Sequence, residues 1–327
     1  MKHMLVTLVA LFIASASYAD YSRDYIDTVP VKYTQSADTA IAYRVFNRGS
    51  DHPKLLLVMG LGGAGAAWGD DFIQRIEAQG FELMVIDNRD TGGSDLFTNW
   101  GTPTIWWQIL KYELGFSVDA PYTLRDMASD SVAVLDAEGH DQVHVMGVSM
   151  GGMIAQVIAA QHPERVQTLT SIMSTTFAPH LPPPSRAAED ELRDLAGGDA
   201  ELSREAKMRA RGFHPESMER HLMAIFKSGD RTREVQTISA PTLVLHGSED
   251  PLVPPAHGMH TAEQIEGSRF VLLDGMGHNL PDEFHDQIVG LMSEHIYSQI
   301  DDHQLNQQLH QQQRKHAYYD EMTSNDH

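Results

Sequence analysis

A chain of 327 residues, of which 42% are hydrophobic, is long enough to bury a large core as one domain with insertions or as two domains. The formal net charge of −21 at pH 7 argues against nucleic acid or an anionic membrane surface as a partner. The chain has no cysteine, which excludes disulfides, thiolate metal sites, a cysteine nucleophile and a lipidated N-terminal cysteine.

The N-terminus has the pattern of a secretory signal peptide. Lys2 and His3 precede an apolar run over residues 4–14, and Ser17 and Ala19 place small residues at the −3 and −1 positions of a cut after Ala19. This run is short for a hydrocarbon core of ~30 Å, so we expect no stable membrane anchor. We predict that residues 1–19 are removed by a cut after Ala19 and that the mature protein is periplasmic or secreted. An uncleaved anchor and a buried first helix are the alternatives.

From residue 31 onward, predicted strands and helices alternate. Apolar and β-branched runs indicate the strands, and amphipathic stretches that end at glycine or before proline indicate the helices. We predict strands at residues 31–34, 39–46, 55–59, 82–86, 143–147 and 166–173. We predict helices at residues 68–79, 123–138 and 151–161. Continuous apolar runs are typical of strands buried on both faces of a parallel sheet, so this part is predicted to be an α/β core.

Two connections in this part have a composition of their own. Residues 87–94 contain two glycines and several charges, which favours a tight loop braced by an Arg–Asp pair. We therefore expect Arg89 and Asp90 to be structural rather than chemical. Residues 97–121 are rich in aromatic side chains, which can line or cover a pocket, pack against the core, or do both.

The alternation stops after residue 174. Three prolines at 182–184 interrupt the chain, and residues 187–227 have the pattern of two or three short charged helices. Predicted strands return only at 242–247 and 269–273, and a predicted helix follows at 283–297. A helical insertion between two core strands is typical of a cap over an active site. The predicted divisions are residues 20–176 (first part of the core), 177–240 (helical cap), 241–300 (second part of the core) and 301–327 (tail).

The tail is rich in glutamine and histidine, and its composition predicts disorder. Metal binding by its histidines is the alternative, but the spacing of His303, His310, His316 and His327 fits no compact ligand set. We predict no metal site.

The pattern Gly-x-Ser-x-Gly occurs as Gly147-Val148-Ser149-Met150-Gly151, between a predicted strand and a predicted helix. A sharp strand-to-helix turn strains the central residue and needs glycine beside it. The serine hydroxyl then stands at the tip of the turn, and an attached oxyanion can meet the Met150 N–H at the positive end of the helix. A glycine-rich turn without chemistry is the alternative.

A serine nucleophile needs a base, and the base needs an acid that orients it. Asp250 follows the strand at 242–247, and His278 follows the strand at 269–273 in a glycine-containing loop. Both therefore lie at the carboxyl edge of the predicted sheet, as Ser149 does. The rivals are weaker because no other histidine has such a loop and because Glu249 should point away from an inward-facing Asp250. The competing histidines are His144, His246 and His285.

A second oxyanion donor is predicted after the strand at 55–59. That strand runs into Gly60-Leu61-Gly62-Gly63, where backbone N–H groups can turn toward a ligand. We assign the Leu61 N–H to this role. A plain turn between strand and helix is the alternative.

Five segments in this order resemble the serine α/β-hydrolase family. They are Val58–Gly63, Asp87–Gly92, Gly147–Gly152, Gly247–Asp250 and Gly277-His278. Met-Gly before the oxyanion loop, combined with Asp-Asn-Arg-Asp-Thr-Gly, resembles the aclacinomycin methylesterase-like branch. The resemblance implies the α/β-hydrolase fold, with a mostly parallel twisted sheet flanked by helices and a small helical cap. It also implies hydrolysis of a small-molecule carboxylic ester, of which a methyl ester on a bulky ring system is one form.

We therefore predict a serine hydrolase with Ser149, Asp250 and His278 as its triad and no metal or organic cofactor. Three other reactions on the same triad stay open: carbon–carbon bond hydrolysis, amide hydrolysis and cofactor-free perhydrolysis. Dehalogenase and epoxide hydrolase chemistry is disfavoured, because those relatives place aspartate where this chain has Ser149. A non-catalytic binding protein of the same fold is the remaining alternative.

Overall fold

The computed structural model of the protein describes residues 22–49, 52–101, 103–185 and 212–300. The predicted signal peptide at 1–19 and the predicted tail at 301–327 lie outside the described residues, as does the part of the predicted cap at 186–211. The structure therefore does not test the predictions made for these three segments. In the described part of the chain, no helix combines the length and the apolar character needed to cross a bilayer.

The described strands form one sheet of eight in the order β1-β2-β4-β3-β5-β6-β7-β8. The first two pairings in this order are antiparallel and the others are parallel. The strands are β1 Lys32–Ser36, β2 Thr39–Phe46, β3 Lys54–Val58, β4 Glu82–Ile86, β5 Val143–Val148, β6 Val166–Ile172, β7 Thr242–Gly247 and β8 Arg269–Leu273. Each of the eight strands predicted from the sequence is present, within about two residues of its expected bounds.

Helices cover both faces of the sheet. They are α1 Asp70–Ala78, α2 Ile105–Glu113, α3 Leu124–Glu138, α4 Met150–Gln161, α5 Pro215–Ser228, α6 Thr232–Val235, α7 Ala256–Gln264 and α8 at residues 282–300. The predicted start and end of α3 are confirmed. Thr123 and Asp126 form a reciprocal capping box, and Gly139 ends the helix in the left-handed conformation.

The central strands are buried because they have helices on both sides. Side chains alternate between the two faces of a strand, and in β3 Leu56 and Val58 join the core that includes α3, α4 and α5. Leu55 and Leu57 join the opposite core, which includes α1 and α8. All four residues are fully buried, which explains the continuous apolar run in the sequence.

The parallel strands have one functional consequence. Their carboxyl ends meet at a single edge of the sheet, and the segments that follow them lie at that edge. These segments are residues 59–63 after β3, 87–94 after β4, Ser149 after β5, 173–177 after β6, 248–250 after β7 and 274–278 after β8.

Candidate active site

Ser149 lies in the turn between β5 and α4 in a strained backbone conformation. Its φ of 55° and ψ of −118° are unusual for a residue with a side chain, and such strain costs about 1–3 kcal/mol. Glycines permit the tight turn. A Cβ on Gly147 would lie 2.2 Å from the Gly151 carbonyl oxygen, and one on Gly151 would lie 2.1 Å from the Val58 carbonyl oxygen. The turn is held by the Ser149 N–H, which donates to the Ile172 carbonyl at 2.9 Å.

The structure brings Ser149, His278 and Asp250 together in one hydrogen-bonded row. His278 Nε2 lies 3.0 Å from Ser149 Oγ, and His278 Nδ1 lies 2.7 Å from Asp250 Oδ2. The other Asp250 carboxylate oxygen accepts from the Leu252 and Val253 N–H groups at 3.0 and 2.8 Å. Both oxygens of the buried carboxyl therefore have partners, and its orientation toward His278 is fixed.

The charge state of Asp250 sets the tautomer of His278. Burial opposes ionisation of the Asp250 carboxyl, but His278 and His246 favour the charged form, and the pKa of Asp250 falls below its ordinary value. An ionised carboxylate only accepts hydrogen bonds, so Nδ1 of His278 carries the proton. Nε2 is then free to accept the proton of the Ser149 hydroxyl, which is the arrangement a general base needs.

The rival residues lie elsewhere or make other contacts. Glu249 is exposed, as expected for a side chain that points away from Asp250. His144 is buried beside Thr168 Oγ1 at 2.9 Å, and His285 bonds to Asp71 at 2.7 Å. His246 is closer to the site than sequence reasoning indicated.

His246 approaches the same carboxylate as His278. Its Nε2 lies 3.4 Å from Asp250 Oδ2 and 2.7 Å from the Val253 carbonyl oxygen, while its buried Nδ1 has no hydrogen-bond partner among the described residues. Sequence reasoning set His246 aside because it lies so near Asp250 in the chain, but the turn after β7 brings the two side chains together. The two imidazoles flank the Asp250 carboxylate and help to keep it ionised.

The loop at residues 60–63 lies directly against Ser149. A Cβ on Gly60 would be 3.3 Å from Ser149 Cβ, which is a tight contact. In the described part of the chain, the Leu61 N–H donates to no acceptor. Met150 is the first residue of α4, where amide groups have no acceptor in a preceding turn. Two amides near Ser149 are therefore available to an incoming oxygen atom.

Helix α5 contacts this loop from outside the sheet. The Gly62 N–H donates to His221 Nδ1 at 3.0 Å, and His221 Nε2 lies 2.9 Å from the Arg89 carbonyl oxygen. Phe213 and Met218 pack so closely on Gly62 that a Cβ there would lie within 3 Å of both. Sequence reasoning missed His221, because nothing in the pattern of the predicted cap helices distinguishes it.

The loop at residues 87–94 has two ion pairs with arginine instead of the single internal pair that the sequence suggested. Arg89 binds Asp130 of α3 through two hydrogen bonds of 2.6 Å, and Asp90 binds Arg220 of α5. Asn88 also donates to the Met59 carbonyl at 2.9 Å, which ties this loop to the residue that precedes the loop at residues 60–63. The structural roles expected for Arg89 and Asp90 fit these contacts, but both partners come from outside the loop.

The aromatic segment at 97–121 contains α2 and does two things. Tyr112 packs edge-on against Phe226 of α5, with ring centroids 4.9 Å apart. Trp106 and Phe116 are 61% and 65% exposed, and the neighbouring surface has a pocket of about 360 Å³ whose lining includes Trp107. The segment therefore both packs against α5 and lines a pocket.

One group of residues brings metal-type ligand atoms together. Atoms of Asp71, Asp282 and His285 lie within 4.8 Å of one another. Arg75 and His285 already bind the Asp71 carboxylate, at 2.7 Å each.

Comparisons with known proteins agree with this architecture. A family model described as alpha/beta hydrolase fold matches residues 53–202, and a second, described as TAP-like protein, matches residues 224–289. Rhodomycin D methylesterase DauP of Streptomyces sp. (strain C5) is 28% identical over 285 residues, covering 74% of this chain and 90% of the relative.

Two solved structures share the fold at low sequence identity. The enol-lactonase from Burkholderia xenovorans LB400 is 19% identical with a TM-score of 0.61, covering 81% of this chain and 100% of that one. A thermophilic esterase from Thermogutta terrifontis is 19% identical with a TM-score of 0.59, covering 83% and 99%. The predicted resemblance to α/β hydrolases is thereby confirmed, and the chain has the fold that defines them.

Proposed function

We propose that the protein is a serine hydrolase that cleaves carboxylic esters through an acyl-enzyme. Ser149 is the nucleophile, His278 the general base and acid, and Asp250 the carboxylate that orients His278. The observation that supports this most directly is the row of hydrogen bonds, 3.0 Å from Ser149 Oγ to His278 Nε2 and 2.7 Å from His278 Nδ1 to Asp250.

The first half of the reaction uses these three residues in order. Ser149 Oγ attacks the ester carbonyl carbon while its proton passes to Nε2 of His278. The ionised Asp250 stabilises the imidazolium that forms. When the tetrahedral intermediate collapses, the bond to the alcohol oxygen breaks and His278 returns the proton to the departing alcohol. Water then releases the acid by the same steps, with His278 first acting as its base.

The negative charge of the intermediate needs a second set of groups. Leu61 belongs to the loop that packs against Ser149, and Met150 directly follows Ser149 at the positive end of α4. Amides fixed before the reaction stabilise an oxyanion without rearrangement, and losing one such donor commonly costs about 10²–10³-fold in rate. The proposed steps use only residues of this chain and require no metal or organic cofactor.

The relatives indicate a substrate class. DauP is named as a methylesterase of rhodomycin D, and the two structural neighbours are named as an enol-lactonase and an esterase. We propose a small-molecule ester as the substrate, with a methyl ester on a ring system as the first to examine. We also propose that residues 177–240 form a helical cap over the site.

The location of this activity is a separate proposal. If residues 1–19 are a cleaved signal peptide, the hydrolase acts in the periplasm or outside the cell. N-terminal sequencing of protein recovered from the periplasmic and culture fractions checks this, and a mature chain beginning at Asp20 is expected. A chain that keeps residues 1–19 would contradict cleavage.

The decisive experiment measures hydrolysis of short-chain and medium-chain p-nitrophenyl esters. We expect Ser149→Ala to lower kcat by about 10⁴-fold or more with the fold retained. Ser129→Ala, at an exposed serine of α3, is the matched control and should keep full activity. An organophosphonate should label Ser149 alone. Ester hydrolysis that persists in Ser149→Ala would contradict the proposal.

A further inference from the structure

His221 on α5 is a completely buried histidine that joins two loops at the carboxyl edge of the sheet. Its Nδ1 lies 3.0 Å from the Gly62 amide nitrogen, and its Nε2 lies 2.9 Å from the Arg89 carbonyl oxygen. An amide N–H only donates and a carbonyl only accepts. The ring must therefore carry its single proton on Nε2 and be neutral.

The hydrogen bond from the Gly62 N–H to His221 restrains a turn whose glycines allow many backbone conformations. Three of the four residues at 60–63 are glycine, and Gly62 has a φ of 71°. Inside the turn, the Gly63 N–H donates to the Gly60 carbonyl at 3.1 Å. Outside it, the bond to His221 exists only while the Gly62 N–H points toward α5. The Leu61 N–H lies in the preceding peptide plane, which is joined to that of Gly62 through the Leu61 Cα, so restraining one plane limits the other.

We propose that His221 is a positioning residue that holds the loop at 60–63 so that the Leu61 N–H faces the oxyanion of the reaction. The inference rests on the proposed esterase function, because it assigns the loop's orientation to that reaction. His221 does not touch the substrate. It acts through the Gly62 amide.

The surroundings of His221 keep its ring neutral. Burial lowers the pKa of His221, and the charges of Arg220 and Arg89 act in the same direction, while the Arg89 carbonyl and the Asp90 carboxylate oppose them. Tyr122 contacts the ring edge-on, with centroids 6.0 Å apart. Protonation would put an N–H on Nδ1 against the Gly62 N–H and break the bond. A neutral ring therefore preserves the loop's orientation.

Two substitutions separate the two hydrogen bonds. In His221→Asn the side-chain oxygen can take the place of Nδ1 and accept from Gly62, while the bond to Arg89 is lost. In His221→Gln the side-chain amide can take the place of Nε2 and donate to Arg89, while the bond to Gly62 is lost. Each variant loses one buried hydrogen bond, so a similar decrease in Tm is expected for both.

We expect His221→Gln to lower kcat for p-nitrophenyl esters by about ten- to a hundredfold, below the loss seen when an oxyanion donor is removed outright. KM should change less than kcat, because the oxyanion exists only after attack. His221→Asn should keep kcat within about threefold of the wild type. Amide exchange at residues 60–63 should speed up in His221→Gln and not in His221→Asn.

Three results would overturn the inference. The first is a His221→Gln enzyme with wild-type kcat. If the activity of the wild-type protein depends on Ser149, this result leaves the esterase proposal intact. The second is an equal loss of kcat in both variants, which would indicate general destabilisation. The third is rapid exchange of the Gly62 amide in the wild-type protein, a measurement that needs neither variant to fold. Absence of any Ser149-dependent hydrolysis in the wild type would instead remove the esterase proposal and this inference together.

Discussion

Asp90 and Arg220 form a two-pronged ion pair inside the protein. Arg220 Nε and Nη2 each lie 2.8 Å from a carboxylate oxygen of Asp90, and the two side chains are 0% and 1% exposed. The Tyr122 hydroxyl and the Phe97 N–H also donate to this carboxylate. The pair joins the loop after β4 to α5, one residue before His221. It therefore contributes to the placement of the helix that contacts the loop at residues 60–63.

Breaking this pair should destabilise the protein strongly. Arg220→Met leaves the Asp90 carboxylate buried without its cation, and such losses cost about 3–5 kcal/mol in the free energy of unfolding. The double variant Asp90→Asn, Arg220→Met should cost less than Arg220→Met alone. Urea unfolding measures both.

An exposed pair provides the control for that experiment. Arg269 and Glu294 lie 3.1 Å apart with side chains 47% and 64% exposed, and Arg269→Met should cost at most about 1 kcal/mol. Equal losses in the free energy of unfolding for Arg220→Met and Arg269→Met would show that the buried pair contributes no more to stability than the exposed one.

The proposed role of Asp250 as the triad acid can be tested against its neighbour Glu249. Asp250→Asn should lower kcat for ester hydrolysis by about 10⁴-fold, because an amide can bond to His278 in the wrong tautomer. Glu249→Gln, at the exposed adjacent position, should leave kcat within about twofold, because surface substitutions of this kind have small effects. A large loss in Glu249→Gln with activity kept in Asp250→Asn would reverse the assignment.

The parts of the fold that the sequence predicts are those with local causes. The apolar runs of the central strands, the Thr123–Asp126 capping box and Gly139 each depend on residues close together in the chain. The same holds for the turn around Ser149, where glycines are needed for close backbone approach. Once these segments end at one edge of a parallel sheet, the meeting of Asp250 and His278 with Ser149 follows from topology.

The contacts that escaped prediction depend on tertiary packing. Asp90 and Arg220 are separated by 130 positions, and Gly62 and His221 by 159. No local pattern marks either pair, because a buried polar residue on a helix has the same spacing whether it faces a loop or another helix. Arg89 shows the converse problem. A charged neighbour in sequence suggested a partner within the loop, while the partner in space is Asp130.

Backbone strain at Ser149 predicts an inverted order of stability. Replacing a residue by glycine ordinarily costs about 0.5–1 kcal/mol relative to alanine. At a φ of 55° and ψ of −118°, glycine instead relieves strain of about 1–3 kcal/mol. Ser149→Gly should therefore be about 1 kcal/mol more stable than Ser149→Ala in urea unfolding.

The helical Ser129 provides the comparison for this strain. Ser129→Gly should be less stable than Ser129→Ala, as expected within α3. The same order at both positions would argue against strain at Ser149.

Stability should decrease on mild acidification because of His144 in β5. Burial, together with the charge of His295, lowers the pKa of His144 from 6.5 to about 4. Between these two values the unfolded chain binds a proton that the folded protein does not, so stability is complete above about pH 6.5 and falls as the pH approaches 4. The total loss is on the order of 3 kcal/mol. In His144→Gln the free energy of unfolding should change less steeply between pH 6.5 and pH 4, and parallel curves would contradict the assignment.

Two glycine-to-alanine substitutions should have opposite effects. Gly290 lies in α8 and is exposed, and a Cβ added there would meet no neighbouring group of the described residues within 4 Å. Gly290→Ala should therefore stabilise the protein by about 0.5–1 kcal/mol, because alanine loses less conformational entropy in a helix.

Gly151 is also helical, but its Cβ would lie 2.1 Å from the Val58 carbonyl oxygen, so Gly151→Ala must push α4 away from β3. That change should cost about 3 kcal/mol or more and displace Ser149. Thermal unfolding of both variants measures the contrast, and a stable, active Gly151→Ala protein would mean that the turn at Ser149 is looser than this geometry requires.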